Sequence, residues 1–362
     1  MNVTVSTDNY TKELNLTVKE DGKLVPVDEA LKGEEENGVE EEGEEKKEEE
    51  EKEEEEMKEE DNNIYTEEEN ISSCSSVHER IPGNYDTLVI GGGALKGFIL
   101  LGALQYVQDN YFVNHIKHYI GTSAGAMISY LLLIGYTPVE IMVYICTHQV
   151  IEKMKDMNYA GAVDGSGITT FSYIQDHLEK MTIEKTGRLM TLGDLKQIYG
   201  KTLTMATYNI SKGKVEYLSS IDTPEIPCIT AIRMSSNIPL FFEHFRYMGS
   251  FYIDGGIVDN FPLEKGMENG KKVLGVYVEN HGIKIDNPAS LGVVSYVFKM
   301  INIAMTRETA MKVEKYKNDC SIVSVSTSKD TITSGMNFHI SATEKLDMFS
   351  SGYQIAQKYF ES

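Results

Sequence analysis

Gly121-Thr122-Ser123-Ala124-Gly125 sets a serine between two glycines, each two positions away. This spacing suits a nucleophile when it falls between a strand and a helix. The chain must turn so sharply that the serine rises above the sheet with strained backbone angles, and side chains two residues to either side would collide. The helix that follows would aim its N–H groups and positive dipole end at the serine. The plainer reading is a tight turn whose serine caps a helix. A second motif is Gly91-Gly92-Gly93-Ala94-Leu95-Lys96-Gly97. Consecutive glycines let backbone N–H groups gather around an anion. A dinucleotide fingerprint fails here because its last glycine place falls on Lys96. A P-loop fails because the lysine precedes its glycine and Phe98 follows. Donors for the oxyanion of a tetrahedral intermediate remain, beside a glycine turn for close strand–helix packing. The third motif is Asp254-Gly255-Gly256 after Ile253, with Asp259-Asn260-Phe261-Pro262 behind it. A carboxylate at a strand end, followed by two glycines, can approach a neighbouring strand's serine without steric penalty. An aspartate turn is the alternative.

Each motif needs a strand before it. Thr87–Ile90 reads as a short buried strand, and Gly97–Gln108 as a buried helix with apolar residues most of the way round. Ile116–Ile120 is predicted as a strand and Ala124–Ile134 as the helix after it. Leu203–Tyr208 and Val215–Leu218 flank a hairpin turn at Ser211–Lys214. Phe251–Ile253 and Val273–Val278 are further strands. A long helix spans Leu291–Lys317, entered through Asn287–Ser290, and a last helix starts from a capping box at Ser341-Ala342-Thr343-Glu344. Alternation of this kind predicts an α/β fold, a mostly parallel central sheet with helices on both faces. Residues 1–32 show no convincing period and receive no assignment.

The charge divides the chain. Of a net −22 over 362 residues, residues 1–80 carry −20 and residues 81–362 carry −2. From Gly33 to Glu60 there are 18 Glu and 4 Lys, with Val39 and Met57 the only apolar residues. Self-repulsion without burial predicts an acidic, largely disordered leader over 1–80, ahead of one domain over 81–362. The ordered body is expected to begin between Ser76 and Asp86. The leader reads as a solvating tail or as a segment for a protein partner. A basic nucleic-acid reader is excluded. No signal peptide or membrane span is legible, which points to an intracellular, cytoplasmic protein. Cys74, Cys146, Cys228 and Cys320 form no CxxC pair and read as thiols. No EF-hand loop or HExxH occurs, so no metal and no cofactor are expected. The glutamate run could hold Ca²⁺ only weakly.

Taken in order, the glycine-rich loop, the G-x-S-x-G and the Asp-Gly-Gly resemble the patatin-like phospholipase family. Ser235-Ser236-Asn237-Ile238-Pro239 with Phe242 resembles the segment that precedes the family's Asp-Gly motif. The match covers most of residues 86–265. The resemblance implies a patatin-like fold, related to α/β-hydrolase architectures, and hydrolysis of lipid acyl esters by a Ser–Asp dyad without histidine. It implies Ser123 as nucleophile, Asp254 as its base, and the N–H groups of Gly92 and Gly93, with Gly91 as a further donor, as the oxyanion hole. Gly121 and Gly125 would frame the elbow, Gly255 and Gly256 the aspartate, and Lys96-Gly97 would close the loop. The family has one residue between the triple glycine and its Lys/Arg-Gly pair. Here there are two, Ala94 and Leu95, so the donors and the place of Lys96, which would order the loop or meet a lipid phosphate, are open. The resemblance implies a phospholipid or other acyl-lipid substrate met at a peripheral membrane surface. Phospholipase A-type hydrolysis leads. An acyltransferase or a non-phospholipid esterase on the same dyad, and a silent lipid-binding protein whose leader binds a partner, are the alternatives. His281 is the best-placed residue for a triad histidine, and otherwise a loop residue. Pro239–Phe242 and Met154–Tyr159 would lie either at a membrane surface or in packing. The leader would be repelled by anionic lipid.

Overall fold

A computed structural model of the chain describes residues 2–7, 10–18, 24–26, 84–110, 112–151, 158, 160–161, 166–279, 293–326 and 340–362. Ahead of the acidic run, three strands, β1 (Asn2–Thr7), β2 (Tyr10–Val18) and β3 (Leu24–Pro26), form an antiparallel sheet of their own. Valines at 3 and 5 and leucines at 14 and 16 alternate with polar residues, a period-two signal too short to stand out. The glutamate run lies outside the described residues.

The body is built on an eight-stranded sheet. Its strands are β4 (Thr87–Ile90), β5 (His118–Gly121), β6 (Thr202–Asn209), β7 (Lys214–Ser219), β8 (Phe245–Tyr247), β9 (Ser250–Asp254), β10 (Val273–Val278) and β11 (Ser321–Val325). The order is β11-β10-β4-β5-β6-β9-β8, with β7 also on β6. The five strands β11, β10, β4, β5 and β6 run parallel, as expected. Strands β7, β9 and β8 are antiparallel additions, so the sheet is mixed. The predicted strand Ile116–Ile120 begins later, at His118. The Ile116 N–H closes a turn on the Val113 carbonyl at 3.1 Å instead.

One feature of register positions the site. Gly121, the last residue of β5, pairs with Met205, but β6 continues to Asn209. Strand β7 occupies one edge of β6 over Thr204–Asn209. The other edge is therefore shared by β5 below and by β9 above, where Asp254 pairs with Thr207. Because β5 is parallel to β6 and β9 antiparallel, their C-terminal ends meet over Ala206.

Helices cover both faces. On one lie α1 (Gly97–Asp109), α2 (Ala124–Leu133), α3 (Pro138–His148), α4 (Ser172–Thr186), α5 (Leu192–Tyr199) and α6 (Cys228–Ser235). After the short α7 (Gly256–Asp259) come α8 (Leu263–Asn269) and α9 (Val293–Tyr316) on the other face, and α10 (Ala342–Glu361) packs on α1. Leu88 and Ile90 point into the first core, Val89 into the second with Ile120, Phe261 and Leu263. Helices α1 and α10 touch through backbone: a Cβ on Gly102 would stand 1.8 Å from the Phe349 carbonyl oxygen. The capping box expected at Ser341 is present, the Ser341 hydroxyl accepting the Glu344 N–H at 3.1 Å. The long helix runs Val293–Tyr316, slightly inside its predicted span, and its entry at 287–290 lies outside the described residues.

Candidate active site

Ser123 sits directly after β5 with φ 55° and ψ −122°, a conformation L-residues rarely adopt. The flanking glycines are there for space. A Cβ on Gly121 would lie 2.5 Å from the Gly125 carbonyl oxygen, and one on Gly125 would lie 2.3 Å from that of Ile90. Replacing Gly125 by alanine is expected to destabilise the fold by at least about 3 kcal/mol, since backbone cannot yield there. Gly97 is different: φ is −52° and nothing lies within 3.8 Å of its would-be Cβ. Gly97→Ala is expected to stabilise by about 0.5–1 kcal/mol. Urea unfolding of the two variants checks both.

The segment Ser235–Asn237, at the end of α6, ties the elbow to β9. The Ser235 hydroxyl accepts the Ser123 N–H at 3.1 Å and donates to the Ala206 carbonyl at 2.7 Å. The Asn237 carbonyl accepts the Asp254 N–H at 2.9 Å. Gly255 then passes so close to β6 that a Cβ would lie 2.2 Å from the Ala206 oxygen. These contacts bring the Asp254 carboxyl beside the Ser123 hydroxyl, and Oδ1 accepts the Gly256 N–H at 2.6 Å. Both side chains are buried. Burial pushes the Asp254 carboxyl up to about 6, against the downward pull of the Ser123 hydroxyl and the Gly256 N–H.

Two of the three N–H groups of the glycine loop are used inside the fold. The Gly91 N–H extends the sheet to the Val276 carbonyl, and the Gly92 N–H donates to the Asn260 carbonyl, both at 2.9 Å. Neither is free to meet an oxyanion. Among the described residues the N–H groups of Gly93, Ala94 and Ala124 have no hydrogen-bond partner. The extra residue explains the shift. Ala94 adopts φ 45° and is exposed, opening a 3-10 turn over Ala94–Lys96, while Leu95 is buried. Lys96 is half-buried at the start of α1.

Asn260, in the Asp259-Asn260-Phe261-Pro262 run, belongs to the site as well. Its carbonyl accepts from Gly92, its Nδ2 donates to the Gly92 carbonyl at 3.4 Å, and its Oδ1 is buried without a partner among the described residues. It clamps the glycine loop to the Asp-Gly-Gly turn. Its place six residues after Asp254 was the available signal.

Beside the serine, an apolar cavity of about 130 Å³ opens at Ala94 and Ala124. Phe98, Leu101, Met127, Leu131, Leu178 and Met181 line it, and it extends to His177, whose Nδ1 lies 3.1 Å from the Tyr144 hydroxyl. Phe241 and Phe242 are core residues and offer no membrane surface. Phe242 packs by the buried Arg233, whose guanidinium bonds the Glu243 carboxylate at 2.7 Å. His281, His339 and, apart from Asn158, Met154–Tyr159 lie outside the described residues. Cys146 and Cys228 are buried, and Cys320 is half-buried. Among the described residues no three His, Cys, Asp or Glu side chains stand together as a metal site, and no single helix is long and apolar enough to cross a membrane.

A protein named probable lipid hydrolase 463L, from Invertebrate iridescent virus 6, is 34% identical over 186 residues, 51% of this chain and 63% of that protein. This chain thus spans less than two thirds of that relative's length. The uncharacterized protein R571 of Acanthamoeba polyphaga mimivirus is 25% identical over 274 residues, 73% of this chain and 90% of its own. The solved structure of VipD from Legionella pneumophila has a TM-score of 0.46 at 16% identity, covering 77% of this chain and 67% of VipD. A family model described as patatin-like phospholipase matches residues 88–266, the stretch that contains all three motifs. Residues 88–266 are thus a patatin-like phospholipase domain.

Proposed function

We propose that the chain is a lipid acyl hydrolase of phospholipase A type, working through an acyl-Ser123 intermediate with Asp254 as the base. The observation that carries this is the placement of a buried carboxyl, held near 6, beside a strained, buried serine. In the first step Ser123 Oγ bonds to the ester carbonyl carbon while its proton passes to Asp254. The carbonyl oxygen becomes an oxyanion and takes the N–H groups of Gly93, Ala94 and Ala124. Removing one such donor typically costs ~10²–10³ in rate. Collapse breaks the ester C–O bond, and the leaving alkoxide receives the proton from Asp254. In the second step Asp254 takes a proton from water, the hydroxide attacks the acyl carbon, the acyl C–Oγ bond breaks as the fatty acid leaves, and Asp254 returns the proton to Ser123 Oγ. The acyl chain lies in the apolar cavity that opens at Ala124.

No step in this scheme uses a metal. Acyl release from mixed phospholipid vesicles, with chelator present, is the test. The intact chain is expected to release fatty acid, and Ser123→Ala to fall by at least about 10⁴-fold. Release that persists in Ser123→Ala would refute the nucleophile. Release that stops with chelator would refute the metal-independent scheme. An alcohol in place of water in the second step would make the same site an acyltransferase, and the vesicle products distinguish the two.

A further inference from the structure

The sheet edge that carries Ser123 and Asp254 has two apolar projections rising past it. The first is a pair of hairpin tips. Asp254 pairs with Thr207, while β6 runs on to Asn209 and β9 begins at Ser250. The turn before β9 therefore stands about 13 Å beyond the carboxyl, at roughly 3.3 Å per residue. Ile210, Met248 and Phe251 are exposed there, Met248 by 84%. The Ile210 N–H donates to the Phe251 carbonyl at 2.9 Å, so the two tips are neighbours. Met248 has φ 45°, a conformation that favours asparagine or glycine. Methionine stands there fully presented to solvent.

The second projection is the start of α9. The helix leads from the catalytic edge back to the start of β11, so its N-terminal end is the upper one. Met305 Cε lies 3.1 Å from where a Gly256 Cβ would stand, which fixes the catalytic level. The twelve residues from Val293 to Ala304 rise about 18 Å above it, at 1.5 Å per residue. Tyr296, Met300 and Ile303, spaced four and three apart, put one apolar stripe on the solvent side of this segment.

Cations accompany both projections. Arg246 is exposed by the hairpins, and Lys212 and Lys214 share the single carboxylate of Glu216 at 3.3 and 3.5 Å. Arg307 is exposed on α9 one turn below Ile303, with Lys299 half-buried above it. An apolar tip with a basic collar fits a bilayer whose acyl region takes the tip and whose anionic headgroups take the collar. The glutamate run has the right charge for the collar but only Val39 and Met57 to cover the apolar tips. A second copy would set one basic collar against another.

We propose that this edge is a docking surface for a phospholipid bilayer, with Met248 and Met300 at the centres of its two contacts. The inference rests on the lipid hydrolase reading for its purpose, and its test does not need turnover. The full chain carrying Ser123→Ala is sedimented with phosphatidylcholine vesicles containing phosphatidylserine. It is expected to partition onto them. Met248→Asp with Met300→Asp is expected to lower that partition at least about ten-fold, since each change removes a buried methionine side chain from the lipid contact. A second pair, Ile210→Asp with Ile303→Asp, is expected to do the same and guards against a folding defect. In the active chain both pairs should leave hydrolysis of a short soluble ester unchanged. A parent chain that stays in the supernatant, or paired variants that partition as it does, would overturn the docking surface. A chain that binds vesicles but cleaves neither vesicle lipid nor soluble ester would leave docking standing and sink the hydrolase reading instead.

Discussion

Asp254→Asn is expected to silence the chain and at the same time to stabilise it. The loss of the base should lower turnover by about 10²–10⁴-fold. Asparagine keeps the shape, an acceptor for the Gly256 N–H and a donor toward Ser123, so the site should stay folded. The gain in stability follows from the raised carboxyl. Asp254 stands near 6 in the folded chain against an ordinary 3.8. The folded state therefore binds this proton more tightly than the unfolded chain. That contribution is complete below about pH 4 and is lost as the pH rises through about 6. Above pH 6 the folded chain holds an ionised carboxylate out of water, at a cost of about 3 kcal/mol by the size of the shift. Urea unfolding at pH 8 should show Asp254→Asn more stable by about 1–3 kcal/mol, and at pH 4 nearly equal to the parent. The parent's kcat/KM should fall with acid below about pH 6, where the base becomes protonated. A variant less stable than the parent at pH 8 would mean the carboxylate is not held against its own solvation.

Leu131→Phe is expected to change which acyl chains are cleaved. Leu131 lines the apolar cavity, seven residues beyond Ala124 on α2, about 10 Å further along the helix at 1.5 Å per residue. A phenyl ring there fills the far part of the cavity and leaves its mouth open. Long chains that lose burial of about three methylenes lose about 2.4 kcal/mol, roughly fifty-fold in kcat/KM. A palmitoyl ester should show this loss, and a butyryl ester should be unaffected. Equal losses on both would mean the ring disturbs the elbow. No loss on either would mean the acyl chain lies elsewhere.

The proposed catalytic constellation was legible because its demands are local. Gly121 and Gly125 are glycines since backbone passes within contact of both, and Gly255 since β6 does. Such constraints leave a spacing in the sequence. The donors were less legible. Gly91 and Gly92 look equivalent to Gly93 as letters, yet the first lies in the ladder with β10 and the second on Asn260. How far a ladder runs past a strand's end is set by the neighbouring strand. Ala94 shows the same limit: an inserted residue is visible, but its left-handed conformation follows from a loop anchored at both ends. The mixed sheet escaped for a related reason. The alternation of strands and helices describes β4, β5, β6 and β10, whereas β8 is three residues long and β9 reverses on an edge of β6 that β5 leaves open. The walls of the cavity from α3 and α4 were not assigned, although Thr137-Pro138-Val139-Glu140 is a capping box whose hydroxyl and carboxylate bonds both form.

Labelling with a long-chain alkyl fluorophosphonate, read by intact mass and peptide mapping, tests the central claim most directly, because it asks which oxygen attacks and what activates it. One adduct per chain is expected, on Ser123. No adduct is expected in Ser123→Ala, and labelling should slow by about 10²-fold or more in Asp254→Asn. An adduct on another residue, or Asp254→Asn labelled at the parent's rate, would contradict it.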